Sequence, residues 1–115
     1  MRKILFVGNT GFSLYNFRLH FMKYLSHQGW NVLAVACDES DYAKKFQNLN
    51  IKFINIQIDH KGMNPLWDLC CIMKLLQLYK QERPDVVHHF TIKPVIFGTF
   101  AAKMAHIPSI INTIT

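Results

Sequence analysis

The order of segments along the chain predicts an α/β protein: a Rossmann-like, doubly wound parallel sheet of about five strands in the order 3-2-1-4-5, with helices on both faces. Three observations predict it. Short apolar runs alternate with stretches whose apolar residues recur at helical spacing. The first run, Ile4-Leu5-Phe6-Val7, is continuously apolar and ends at Gly8, as in a strand covered on both faces. At 115 residues the chain is long enough for one domain with a real core, and too short for a second full one.

Taken in order, the first strand is Ile4 to Val7. In the segment Ser13 to Gln28, Leu14, Phe17, Phe21 and Leu25 fall on one helical stripe, and Gly29 supplies the left-handed stop. Asn31 to Ala36 (NVLAVA) is the second strand. Asp38 to Asn48 is a shorter helix with Lys44 and Lys45 outward, and Ile51 to Ile58 (IKFINIQI) is the third strand. Asn64-Pro65 opens a long helix, because Asn caps well and Pro is favoured at the first helical position. This helix runs through Leu66, Leu69, Met73 and Leu76 to about Glu82, before Pro84. Asp85 to His88 is the fourth strand. Pro94 opens a last helix through Phe97, Ala101 and Met104 to His106, Pro108 ends it, and Ser109 to Thr113 is the fifth strand. No repeat, low-complexity tract or linker interrupts this order.

Composition narrows the class. Half the residues are apolar and 17% are charged, which excludes a disordered tail. No stretch approaches the roughly 18 to 20 apolar residues of a spanning helix, and the opening apolar run is too short for a signal peptide, so a cytoplasmic protein is expected. Three cysteines, two of them adjacent, suit neither a disulfide framework nor a zinc site that needs a spacing of about two to four residues. All three are expected as small core residues. The formal charge of +6 leaves nucleic acid, phosphorylated small molecules and a membrane surface as anionic partners. The basic residues are scattered rather than gathered in an arm, which counts against nucleic acid.

In a doubly wound sheet ligands bind beyond the carboxyl ends of the strands, where strand order reverses, here after strands one and four. After strand one, Gly8-Asn9-Thr10-Gly11-Phe12-Ser13 is a glycine-bearing turn feeding a helix N-terminus. It is neither GxGxxG nor a Walker loop. Two readings stand: a tight turn capped by Ser13, or a phosphate or sugar contact. After strand four, VVHHFTIKPVIFG brings two histidines, a hydroxyl and a lysine to the switch point. One of His88 and His89 points into packing, since neighbours alternate faces, and the other can face the cleft with Thr91 and Lys93. Arg18, one turn above the glycine loop, reaches an anion there or solvates a face. His60-Lys61-Gly62 could line the same rim. His27 and His106, near helix ends, read as surface groups. No Ser-His-Asp or Cys-His arrangement can be proposed.

These residues carry a family likeness. The loop with Asn9, the helix text Leu14-Tyr15-Asn16-Phe17-Arg18-Leu19 and Gly29-Trp30-Asn31-Val32 resemble the N-terminal domain of retaining glycosyltransferases of family four, which have the GT-B fold. VVHHFTIKPVIFG and SIINTIT look like the HHxTxKP segment and fifth strand of the bacterial subgroup acting on lipid-linked oligosaccharide, capsule or O-antigen precursors. The likeness spans essentially all 115 residues. It implies that residues 1–115 are the acceptor-side half of a two-domain, polysaccharide-building enzyme of the cell envelope. The absent C-terminal half would hold most nucleotide-sugar contacts, including a glutamate motif of E-x7-E type. The isolated half is expected not to turn over, and Thr115 looks like a boundary within a longer chain.

Carried over residue by residue, the resemblance puts Gly8, Asn9, Thr10, Gly11 and Lys93 at donor or acceptor phosphate. It puts Asn16, Arg18, His89 and Thr91 at the acceptor, with His88 or His89 as catalytic candidates. It implies a nucleotide-sugar donor as substrate, no cofactor and no metal, because basic side chains and helix dipoles stabilise the leaving nucleoside diphosphate. A lipid-diphosphate acceptor would give the positive charge a use at the inner face of an anionic bilayer. The helix from Pro65 to Glu82, with Trp67, Leu75 and Tyr79, offers a membrane-facing edge or is simply buried. A competing class is a non-catalytic membrane-associated subunit that recruits a separate donor-binding chain. A sugar-nucleotide epimerase lacks an Arg-Pro-Glu segment here, and a phospho-receiver lacks its acidic pair.

Overall fold

The computed structural model describes residues 2–37, 41–57 and 65–114. Nine elements follow one another: β1 (Lys3–Thr10), α1 (Gly11–His27), β2 (Asn31–Cys37), α2 (Tyr42–Gln47), β3 (Lys52–Asn55), α3 (Pro65–Glu82), β4 (Val86–Phe90), α4 (Ile92–Met104) and β5 (Ser109–Thr113). All strands are parallel, in the order β3-β2-β1-β4-β5. The predicted topology is the observed one.

The continuous apolar runs are explained by two cores, one on each face of the sheet. On one face Leu5, Val7, Leu33, Val35 and Val87 meet Leu75 and Tyr79 of α3 and Ala101 of α4. On the other, Ile4, Phe6, Val32 and Ala34 meet Leu14 and Met22 of α1 and Phe46 of α2. Alternate residues of β1 therefore serve opposite cores, and each large side chain so buried stabilises the fold by about 1.5–3 kcal/mol.

Where element ends differ from expectation, packing gives the reason. The expected turn Gly8 to Ser13 is absent, because β1 runs on to Thr10 and α1 begins at Gly11. The cap is Thr10 rather than Ser13: the Thr10 Oγ1 accepts from the Ser13 N–H at 3.1 Å, and the Ser13 hydroxyl donates to the Thr10 carbonyl at 3.0 Å. On α1 the inward residues are Leu14 and Met22, whereas Phe17 is 71% exposed and Phe21 is exposed as well. Of the apolar stripe read from the sequence, Leu14 is buried, Leu25 packs against the same core and Phe21 meets the Phe6 ring edge-on at 5.5 Å, so Phe17 is the member that turns away from the sheet. β4 extends two residues beyond the expected His88, since its pairing with β5 continues to Phe90 opposite Thr113. Asp85 is instead used at the strand entrance, its carboxylate accepting from the Lys3 N–H at 2.8 Å.

α4 starts two residues before Pro94, which sits in the first turn where its missing N–H costs nothing. It ends at Met104, and His106 takes the left-handed position (φ 59°) that closes it. α2 begins at Tyr42 and β3 is Lys52–Asn55, shorter than expected. Asp38, Ile58, the His60-Lys61-Gly62 loop and the Asn64 cap lie outside the described residues. Of the cysteines only Cys71 is buried; Cys37 is half-buried and Cys70 exposed. Neighbours on a helix point about 100° apart, so both members of the pair cannot face the core. On α3, Leu75 and Tyr79 are core residues, while Leu66, Leu69 and Met73 are the exposed apolar ones.

Candidate functional site

β1 and β4 are central neighbours, yet α1 leaves β1 toward one face of the sheet while α4 leaves β4 toward the other. The two helices diverge and open a crevice at the carboxyl ends of these strands. A cavity of about 360 Å³ lies there, lined by Ser13, Leu14, Phe17, Arg18, Phe90 and Thr91. The structure thus brings Arg18 and Thr91 together, as neighbours across the crevice.

Arg18 rises from the second turn of α1 and places its guanidinium carbon 4.4 Å from the centre of the Phe90 ring. A cation over an aromatic face is held by about 0.5–2 kcal/mol, which fixes the head group without neutralising it. Among the described residues Lys3 and Lys52 pair with Glu82, and Arg18 has no carboxylate beside it. A guanidinium displayed in this way suits a phosphate, with which it can pair through two parallel N–H bonds.

Thr91, between β4 and α4, is the most unusual backbone position of the site. Its φ of 69° and ψ of 170° lie where residues other than glycine are strained. Its N–H donates to the Thr113 carbonyl at 3.0 Å, and its buried hydroxyl has no partner among the described residues. Asn9 is in a similar state, with a buried Oδ1 that likewise has no partner among the described residues. The last register pair of β1 and β4 is Val7 with His89, so Asn9 and Thr91 each lie two residues past it on adjacent strand ends.

The two histidines separate onto opposite faces. His89 is fully enclosed: Tyr79 Oη lies 2.9 Å from its Nε2 and Asn112 Oδ1 lies 2.9 Å from its Nδ1. An amide oxygen can only accept, so Nδ1 carries the proton and Nε2 accepts from the tyrosine. The expectation that His89 touches acceptor is therefore corrected; its ring nitrogens are used within the core. His88 is 8% exposed and lies on the α1 side, its ring 4.1 Å from Phe90 and 5.7 Å from Phe6. Its Nε2 meets Thr113 Oγ1 at 2.9 Å and its Nδ1 has no partner. Burial, then the nearby Arg18 and His89, lower its pKa to about 4. At neutral pH His88 is an uncharged ring, not a second cation.

The other expected residues are spread out. Gly8 leaves room for α1, since a Cβ there would come within 3.0 Å of the Leu14 side chain. Gly11 is pressed against α2 and β3, where a Cβ would meet Tyr42 Cβ at 2.9 Å and the Phe53 ring at 3.3 Å. Thr10 is occupied as the cap. These three are explained by folding. Asn16 is exposed and donates to the Phe12 carbonyl of its own helix at 2.9 Å. Lys93 lies half-buried in the first turn of α4 and is not among the cavity-lining residues. His27 and His106 are on the surface. Sequence reasoning missed Phe17 and Phe90 as cavity walls. Phe90 could have been found from its place two residues after His88, on the same strand face.

A larger cavity, about 500 Å³, lies at the amino end of the sheet between Arg83-Pro84-Asp85 and His106-Ile107-Pro108, far from the strand-order reversal. Among the described residues no three His, Cys, Asp or Glu side chains converge, and no helix is long and apolar enough to cross a membrane.

The family model described as Glycosyl transferase 4-like matches residues 3–115. The chain belongs to that family. Over 106 residues, 92% of its length, it is 28% identical to the N,N'-diacetylbacillosaminyl-diphospho-undecaprenol alpha-1,3-N-acetylgalactosaminyltransferase of Campylobacter jejuni. Over 78 residues, 68% of its length, it is 24% identical to the UDP-Gal:alpha-D-GlcNAc-diphosphoundecaprenol alpha-1,3-galactosyltransferase of Escherichia coli. It spans 28% and 20% of these relatives. Among solved structures, MurG of Acinetobacter baumannii superposes with a TM-score of 0.72 at 21% identity, over 97% of this chain and 35% of that one. This likeness shows the shared Rossmann-like fold. The glycosyl transferase 4-like domain thus has the sheet order and helix placement that the sequence predicts.

Proposed function

We propose that this domain is the acceptor-binding half of a glycosyltransferase that moves a sugar from a nucleotide sugar to a lipid-linked diphosphate acceptor. The observation that carries the reading is the Arg18 guanidinium, stacked on Phe90 with no carboxylate partner among the described residues, over a 360 Å³ cavity at the strand-order reversal. The two curated relatives support it, since both are named for acceptors on diphospho-undecaprenol or diphosphoundecaprenol. In this reading Arg18 pairs with acceptor phosphate. Thr91, Ser13 and Asn9 contact hydroxyl or amide groups, and Phe17 and Phe90 form the apolar walls. His88 stays neutral behind the Phe90 ring, which makes it a support of the cavity wall rather than a catalytic cation. A second Rossmann-like domain supplies the donor site, and the leaving diphosphate is stabilised by cations and helix dipoles without a metal.

The same reading places the domain peripherally on the inner face of the plasma membrane. Leu66, Leu69 and Met73 on α3 and Ile92, Ile96 and Phe100 on α4 are exposed, Lys74, Lys80 and Lys103 are exposed beside them, and α4 carries no acidic residue. Each lysine near an anionic surface adds about 1 kcal/mol. Co-sedimentation with phosphatidylglycerol vesicles but not phosphatidylcholine vesicles is expected; equal recovery with both would remove this part.

The test of the main reading is titration of the chain with farnesyl diphosphate. A charge-assisted bond is worth about 1.5–3 kcal/mol, so Arg18→Ala should weaken binding about ten- to a hundredfold. Unchanged affinity in Arg18→Ala would overturn it.

A further inference from the structure

β5 contributes nothing to the walls of the cavity, yet Thr113 at its end touches the groups that do. Its carbonyl accepts the N–H of Thr91 at 3.0 Å, which holds that residue in its strained conformation. Its hydroxyl meets His88 Nε2 at 2.9 Å. The His88 ring lies stacked 4.1 Å from Phe90, and Phe90 carries the Arg18 guanidinium. A single residue thus holds Thr91 directly and the Arg18 platform through two rings. We infer that Thr113 is a positioning residue of the cleft, one that sets Thr91 through its carbonyl and holds His88 as the Nε2–H tautomer through its hydroxyl.

The tautomer follows from the unpartnered atom. Among the described residues nothing partners the buried His88 Nδ1. A buried N–H left unpaired is costlier than a buried lone pair, so the proton sits on Nε2 and is donated to Thr113 Oγ1. Thr113→Val keeps the shape and the carbonyl bond but removes the acceptor. The ring then loses its anchor, and both tautomers are equally unsatisfied.

The part concerning binding rests on the acceptor reading above, so the experiment has two arms. In the first, long-range nitrogen–proton spectra of the histidine rings are recorded at pH 7 for the wild-type chain, Thr113→Val and Thr113→Ser. His88 is identified by its disappearance in His88→Gln. Wild type and Thr113→Ser should show one Nε2–H tautomer, and Thr113→Val a mixture. A wild-type His88 protonated mainly on Nδ1 overturns the inference without any variant, and so does an unchanged tautomer in Thr113→Val. In the second arm each protein is titrated with farnesyl diphosphate. Loss of one net hydrogen bond's worth of positioning should weaken Thr113→Val about three- to tenfold, with Thr113→Ser restored. Wild-type binding that Thr113→Val leaves unchanged overturns the link to the cleft. If the wild type does not bind the diphosphate, the acceptor reading fails, and the tautomer arm still decides on the anchor.

Discussion

Replacing Gly98 by alanine tests the central claim about His89. Gly98 lies on the inner face of α4, where an added Cβ would clash with the His89 ring at Nε2 and Cδ2 and lie 2.9 Å from Cε1. The ring cannot retreat, since it is held by Tyr79 on one side and Asn112 on the other. Forcing a methyl into a filled core costs about 1–3 kcal/mol, and displacing the ring leaves the buried Tyr79 hydroxyl unpaired at a further 1–3 kcal/mol. Against this, alanine favours a helix over glycine by about 1 kcal/mol. The expected net loss is about 3 kcal/mol. With an unfolding entropy of about 2.1 cal/mol/K per residue, this lowers Tm by about 12 °C. Thermal unfolding followed by circular dichroism measures it. In a His89→Ala background the obstruction is gone, so the same substitution should be neutral or raise stability by up to about 1 kcal/mol. An equal or higher Tm for Gly98→Ala alone, or the same loss in both backgrounds, would refute the assignment of His89 to the core.

Other outcomes follow from the same geometry. The pKa of His88 is lowered from 6.5 to about 4, and burial lowers that of His89 too. Between pH 6.5 and 4 the unfolded chain takes up protons that the fold does not, so stability should fall as pH drops through that window, by up to about 3 kcal/mol from His88. Urea midpoints at pH 7.5 and 4.5 measure this, and identical midpoints would contradict it. Thr10→Ala, which removes the α1 cap, should cost about 1 kcal/mol in the same urea assay. Gly11→Ala should cost about 1–3 kcal/mol, since the atom it meets is the Cβ of Tyr42 rather than a movable side-chain end. Arg18→Ala should lose no more than about 1 kcal/mol of stability, the worth of a partly exposed cation over a ring. Its loss of diphosphate binding would then read out ligand contact rather than unfolding.

The fold was legible because each strand of a parallel sheet announces itself locally. Ile4 to Val7 and Val32 to Ala36 are apolar on both faces whatever lies beyond them, and a strand–helix alternation with right-handed crossovers leaves few arrangements. The end of β1 was not legible. Glycines at 8 and 11 with Thr10 between read as a turn, yet the chain stays extended to Thr10 because both glycines serve close packing against Leu14, Tyr42 and Phe53. One position of α1 departs from its expected stripe for a related reason. Phe17 is more apolar than Arg18 but faces outward, and a helix beside a cleft can leave an aromatic ring exposed.

By itself the sequence determined the topology, the sidedness of the strands and the place of the crevice, since all three follow from local periodicity and chain connectivity. It also determined that His88 and His89 face opposite ways, because a strand alternates. Only the tertiary structure decided which histidine is locked in the core and that Arg18, not Lys93, stands over the cavity. It alone showed that Thr113, 22 residues beyond Thr91, accepts the Thr91 N–H and meets the His88 ring. Those outcomes depend on strand register and on what each helix packs against, which are settled between elements distant along the chain.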